Sequence, residues 1–266
     1  MSHLYASLFY QADMTEIFSD HALLKYMIQA EVALAKAQAQ VGVIPESAAA
    51  IIADVANTQG IQAIDFENLA IATGLAGNIA IPFVKQLTAA VKAVDEDASR
   101  YVHWGATSQD ILDTACILQA RDALDVVEFQ LQHAYAASLE LAEKYRAEVM
   151  IGRTWLQQAL PITFGHKAAR WASSFKRDLE RLEQMKARVL TAQLGGAVGS
   201  LASLLDQGST VVEAYAAQLN LSVPTCTWHG ERDRIIETAG FLTIVVGNTG
   251  KMARDWSLMM QTEIAE

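Results

Sequence analysis

An all-α protein built on long helices is the fold class this sequence predicts, and three observations predict it. Hydrophobic residues make up 52 % of the 266 against 19 % charged, the balance of a chain that fills a core. Apolar residues recur at helical spacing over three stretches, each long enough for a helix on the order of 45 Å at roughly 1.5 Å per residue. No stretch shows convincing strand alternation or a βαβ rhythm, and no internal repeat is visible.

The first hundred residues read as short helices. Ser19 caps a helix carrying Leu23, Met27, Leu34 and Ala37 that ends at Gly42. Pro45 starts "ESAAAIIADVA", Asp65 caps "FENLAIAT" with Gly74 after it, and Pro82 starts "FVKQLTAAVKAV". The acidic "DEDASR" at Asp95–Arg100 then marks a boundary, so a small N-terminal helical domain is expected over 1–97 and a long-helix bundle over 98–266.

In that bundle helix A is predicted from Ser108 to about Val149, with Ile111, Ile117, Leu124, Val127, Leu131, Leu139, Ala142 and Val149 as its stripe. Helix B begins with Pro161 and carries Phe164, Ala168, Trp171, Phe175, Leu179, Leu182, Met185 and Val189. Helix C runs from about Glu231 to the last residue through Ile235, Ala239, Leu242, Val246, Ala253, Trp256 and Met260. Single stripes of this width bury against other helices. Helix C carries no stop signal, and "WSLMMQTEIAE" places acids where a helix C-terminus favours bases, so the fold is expected to continue beyond these residues. The Gly-rich "QLGGAVGSLASL" lacks a preceding strand and a phosphate-binding Lys, and is expected to be a flexible connector.

A net charge of −10 disfavours non-specific nucleic-acid binding and requires any anionic ligand to be held by local positive groups. Cys116 and Cys226 stand in no metal or redox spacing and read as buried small hydrophobes. The chain opens on no secretory pattern and holds no apolar run long enough for a bilayer, so a soluble, cytoplasmic protein is expected.

Three clusters carry chemistry. In "YVHWGATSQDILDT", Thr107 is a candidate N-cap with Asp110 as its reciprocal acid. The amides of the first turn, the Thr107 and Ser108 hydroxyls and nearby His103 suit either a plain cap or an anion site, and Gly105 permits close approach. Arg153, Thr154 and Gln157 offer one charge and several donors in what reads as a single loop; ordinary solvation fits them equally. His229, Arg232 and Arg234 put positive charge at the start of helix C, against the dipole preference, though Glu231 and Asp233 dilute it. Neighbouring helix starts in an antiparallel bundle lie at opposite ends. One subunit would therefore not unite the three clusters, and a symmetric oligomer would.

Three ordered segments resemble the fumarase/aspartase superfamily of lyases: His103–Asp110 is similar to "HxGxTSxD", Arg153–Gly165 to "RTHxQxAxPxTxG", and Lys251–Ile264 ("KMARDWSLMMQTEI") to a stretch of the third long helix. The resemblance implies an all-α homotetramer with sites built from three subunits, working on a small polycarboxylate without metal or organic cofactor, and no nucleic acid or membrane as partner. Trp155 stands where adenylosuccinate and argininosuccinate lyases carry an acid–base His, which points to the ring-closing branch. There a carboxylate of 3-carboxy-cis,cis-muconate adds to a double bond of the same molecule and closes a lactone, in protocatechuate breakdown by the β-ketoadipate route. The resemblance makes Thr107, Ser108, Arg153, Thr154, Trp155, Gln157, His229, Arg232 and Lys251 substrate-binding residues, His103 a proton carrier or orienter, and Glu263 a catalytic position that lacks its usual His partner. The family's mobile serine loop would follow Glu266, so little turnover is expected from these residues alone. The alternatives are another lyase of the superfamily, such as one acting on adenylosuccinate, and a non-catalytic helical oligomerisation module.

Overall fold

The computed structural model describes residues 5–266, which are mostly helical and divide into two units: one of residues up to 123 with 187–232, the other of 124–186 with 233–266. In chain order the helices are α1 (Ala6–Phe9), α2 (Ala12–Ile17), α3 (Asp20–Val41), α4 (Glu46–Thr58), α5 (Phe66–Ala76), α6 (Ala80–Lys92), α7 (Glu96–Ser99), α8 (Ser108–Lys144), α9 (Phe164–Val189), α10 (Gly208–Leu219) and α11 (Asp233–Met259). A hairpin of β1 (Val149–Thr154) and β2 (Gln157–Thr163) separates α8 from α9.

Local chemistry sets the early boundaries. Ser19 accepts from the Ala22 amide at 3.1 Å and Gly42 closes α3 in the left-handed region at φ 85°. Asp65 accepts from the Asn68 amide at 3.0 Å. Its helix passes through Gly74 and stops instead at Gly77, whose φ of 78° suits a residue without a side chain. Pro45 is the cap before α4 rather than its first residue, and α6 begins two residues ahead of Pro82. The acidic stretch forms the short α7, capped by Asp95, and Ala98 packs with Ile44, Ile52, Val55 and Val91.

Three expectations for the long-helix region are corrected. Helix A ends at Lys144, not near Val149, because the chain turns into β1. Pro161 does not start helix B: it lies in β2 opposite Ile151, where a two-stranded sheet leaves its missing N–H without cost. Helix B starts at Phe164, and the Thr163 hydroxyl accepts from the His166 amide at 3.1 Å to cap it. Helix C stops at Met259 instead of running to the last residue. Its stripe is only partly covered, since Leu242, Val246 and Met260 are exposed whereas Phe241 and Met259 are buried. The α9 stripe is buried as expected at Ala168, Trp171, Phe175, Leu182, Met185 and Val189. In the second unit Trp171 donates to Asp255 at 2.8 Å, Asn248 to Asp178 at 2.7 Å, and Lys186 to Asp125 at 2.7 Å.

The hairpin turn is Trp155–Leu156, with φ of 52° and 60°. Two positive values make a type I′-like connection, a backbone that Asn-Gly fits and branched or bulky residues do not.

The Gly-rich segment is not a flexible connector. Gln193 through Gly196 is buried, and the carboxylate of Asp110, itself fully buried, holds it. Asp110 accepts from Gln193 Nε2 at 3.0 Å, from the Gly195 and Gly196 amides at 2.9 Å each, and from the Thr107 amide at 2.9 Å. A side chain at Gly195 would meet Thr227 Oγ1 at 2.1 Å.

Two outcomes test these assignments. Asp110→Ala leaves several buried donors without an acceptor and is expected to cost about 3–5 kcal/mol, read as a lower denaturation midpoint; a loss under about 1 kcal/mol contradicts the arrangement. Trp155→Asn combined with Leu156→Gly relieves the turn and is expected to raise the thermal midpoint by the equivalent of about 1–2 kcal/mol.

Candidate active site

The richest convergence of polar groups lies in the first unit, where α8 begins. Thr107 and Ser108 are half-buried at the helix entrance. The Thr107 amide is taken by Asp110, which supplies one half of the predicted capping box. Neither hydroxyl finds a partner among the described residues, so both are available to a ligand beside the positive end of a 37-residue helix.

The segment 227–232 closes on the same place. Gln193 Nε2 donates to Thr227 Oγ1 at 2.7 Å, and Gln193 Oε1 accepts from the Trp228 amide at 2.7 Å. His229 Nε2 lies 3.2 Å from the Gly196 carbonyl. The Arg232 guanidinium makes a two-pronged contact with Asp113, one turn into α8, at 2.7 and 2.8 Å, and sits 5.8 Å over the Trp228 ring. The buried Asp113 carboxylate pushes the Arg232 pKa above its already high ordinary value. The first unit thus joins the α8 entrance to Thr227–Arg232 of the third cluster, while the second cluster lies in the other unit. Arg232 is not an N-terminal residue of α11 but the end of a loop that folds back onto α8.

His103 stands in the left-handed region at φ 59° and its Nδ1 lies 2.6 Å from Glu31 Oε1 on α3. Burial alone would lower the imidazole pKa, but the hydrogen bond and charge of Glu31, with the charge of Asp110, outweigh it, and the net shift is upward.

The second cluster and its companions belong to the second unit. Arg153 and Thr154 end β1, Gln157 starts β2, and they are strand residues rather than one loop. Trp155, at the tip, is 96 % exposed. Arg153 pairs with Glu266 at 2.8 Å, Lys251 pairs with Asp255, and Glu263 is exposed in the turn after α11. Of the residues that matter here, Glu31, Asp110 as anchor of the Gly loop, Asp113 and Gln193 escaped the sequence reading. Only Asp110 carried a signal, as a capping acid.

The charge arithmetic around the α8 entrance is informative. Glu31, Asp110 and Asp113 outnumber His103 and Arg232, so the charged groups around this helix entrance carry no surplus of positive charge.

The His103 pair has a pH signature. A raised folded-state pKa means that its stabilisation is complete below the unfolded value of 6.5 and is lost as pH rises through the folded value. The stability difference between the wild type and His103→Gln is therefore expected to be largest below about pH 6.5 and to shrink above it, read by denaturation midpoints across pH. A difference that grows with pH contradicts the assignment.

Comparison with known proteins shows the family and the fold. A family described as lyase matches residues 10–266. The chain is 74 % identical over all 266 residues to 3-carboxy-cis,cis-muconate cycloisomerase of Acinetobacter baylyi, covering 59 % of that protein, and 46 % identical over 266 residues to the Bradyrhizobium diazoefficiens protein of the same name, covering 58 %. The crystal structure of beta-carboxy-cis,cis-muconate cycloisomerase from Acinetobacter calcoaceticus superposes with a TM-score of 0.97 at 73 % identity, over 99 % of this chain and 61 % of that one. The chain spans about three fifths of the length of the curated relatives it matches. With a family match that runs from residue 10 to residue 266, the chain belongs to this lyase family.

Proposed function

We propose that the full-length protein is a 3-carboxy-cis,cis-muconate cycloisomerase, closing its tricarboxylate substrate to 4-carboxymuconolactone. The observation that carries this reading is the network in which Asp110 holds Thr107 and Gln193, Gln193 holds Thr227, and Asp113 holds Arg232, in a chain 74 % identical to a protein of that name.

The chemistry fits the residues. Nucleophile and electrophile belong to one molecule, so the site needs no activated Ser–His or Cys–His pair and no cofactor; it must fix a bent conformer in which a carboxylate faces the double bond. Negative charge grows on the carboxylate next to the carbon that takes a proton. Preorganised donors aimed at that charge lower the barrier. Thr107, Ser108, Thr154 and Gln157 are assigned as carboxylate holders, and Arg153, Arg232 and Lys251 as positive charge that a substrate carboxylate can share. His229 walls the site beside the Gly loop. Trp155 shapes the pocket and cannot exchange protons at neutral pH. His103, held by Glu31, is assigned as proton carrier or orienter. Glu263 is retained as a catalytic candidate.

The same reading takes the enzyme as a cytoplasmic homotetramer with 1–97 as N-terminal domain and 98–266 as part of the central one. Large apolar side chains exposed on α11, Ile236, Ile244 and Val246, support burial against other copies.

The test is loss of the conjugated diene absorbance of carboxymuconate. The full-length protein is expected to turn the substrate over and to leave adenylosuccinate untouched; the 266-residue portion alone is expected to show little turnover. Activity on adenylosuccinate with none on carboxymuconate overturns the assignment, and absence of saturable heat on titration with the lactone favours a purely structural module. Ser108→Ala is expected to lower kcat on the order of 10²-fold.

A further inference from the structure

We propose that Glu31 is a positioning residue for the ring closure: from inside α3 its carboxylate fixes the His103 imidazole and, through it, the turn that delivers Thr107 and Ser108 to the entrance of α8. The proposal rests on the lactonisation reading above.

Glu31 is 2 % exposed, on the same face of α3 as the buried Leu24, Met27 and Leu34. A carboxylate there is costly unless it is paired, and a well-packed apolar residue would serve stability at least as well. Its hydrogen-bond partner is the imidazole at 2.6 Å. Seven residues on, two helical turns along the same face, the fully buried Gln38 donates through Nε2 to the Trp104 carbonyl at 2.6 Å. Thus α3 grips two consecutive residues, 103 and 104, by side chains alone. The gripped turn holds His103 at φ 59° and Gly105 at φ 73°, the first of which a residue with a β-carbon adopts reluctantly. Thr107 follows two residues after Gly105. Asp110 fixes the far side of the same turn through the Thr107 amide.

The pair also settles the ring. With Nδ1 on Glu31, Nε2 is the imidazole's remaining polar atom, and the tautomer and tilt are set from behind. The charged groups that act on the pair are Glu31 from α3 and Asp110 from α8; the Tyr215 hydroxyl of α10, pushed up by burial and by those two acids, is neutral.

The test uses the full-length protein with Glu31→Gln, which keeps size and an acceptor but removes charge, and Glu31→Asp, which keeps charge at shorter reach. Histidine NMR follows the His103 ring; steady-state kinetics follows lactonisation across pH. Expected for Glu31→Gln are a lower His103 titration, kcat down on the order of 10-fold with KM within about 3-fold, and a pH–rate limb displaced with the NMR titration. Glu31→Asp is expected to recover part of kcat. Kinetics and pH profile identical to the wild type, with only a lower denaturation midpoint, overturn the proposal. Should Glu31→Gln fold poorly, a wild-type His103 that titrates below 6.5 overturns it equally. A wild type without lactonisation activity overturns the functional reading first, and with it the role assigned here, while a normal NMR titration in that protein leaves the pair itself in place.

Discussion

The buried carboxylate of Asp110 is the constraint on which the first unit depends. It gathers donors from Thr107, Gln193, Gly195 and Gly196, residues up to 86 positions away, and Gln193 passes the restraint on to Thr227 and Trp228. An anion in a low-dielectric interior is tolerable only when its lone pairs are filled, and filling them forces three remote segments into one register. The absence of a side chain at Gly195 follows from that register, as does the left-handed backbone of Gly196 at φ 72°. The turn that carries Thr107 and Ser108 is thus fixed by a charge buried behind it.

The helical architecture was legible wherever it rested on local rules. Ser19 and Asp65 cap as read, and the buried face of α9 follows its 3.6-residue rhythm. The hairpin was not legible: "VMIGRT" and "QQALPIT" do not alternate, and Trp-Leu is the reverse of what a two-residue turn prefers. The Gly-rich segment was taken for a mobile linker because its order comes from Asp110, 85 residues upstream, and from no signal of its own. In the site, Thr107, His103 and Arg232 stood out by type, but their partners did not. Glu31 in "QAEVALAK" reads as a solvent position on any helix, and only the return of residue 103 makes it an interior one. The family resemblance added what local rules lacked, an order of motifs that ties the helix entrances to one chemistry.

Strain and exposure coincide at the hairpin tip. Trp155 and Leu156 hold positive φ and present 96 % and 69 % of their surfaces outward, alongside Leu160 at 79 %. A sequence selected for the stability of this unit alone would have Asn-Gly and polar flanks there. Large apolar side chains in that place are better explained by what the tip must touch than by what it must hold together, which accords with the assignment of Trp155 as a pocket wall.

Each guanidinium or ammonium assigned to the substrate already has a carboxylate beside it: Arg153 has Glu266, Arg232 has Asp113, Lys251 has Asp255. On the proposed function, accepting a polycarboxylate is therefore closer to ion exchange than to neutralisation. An incoming acid group has to compete with a resident one already held at close range, and a monoacid has little leverage in that contest. A molecule with several acid groups has more leverage than one with a single group. On that reading the resident carboxylates disfavour simple acids, and each spares its own cation a bare charge in the empty protein.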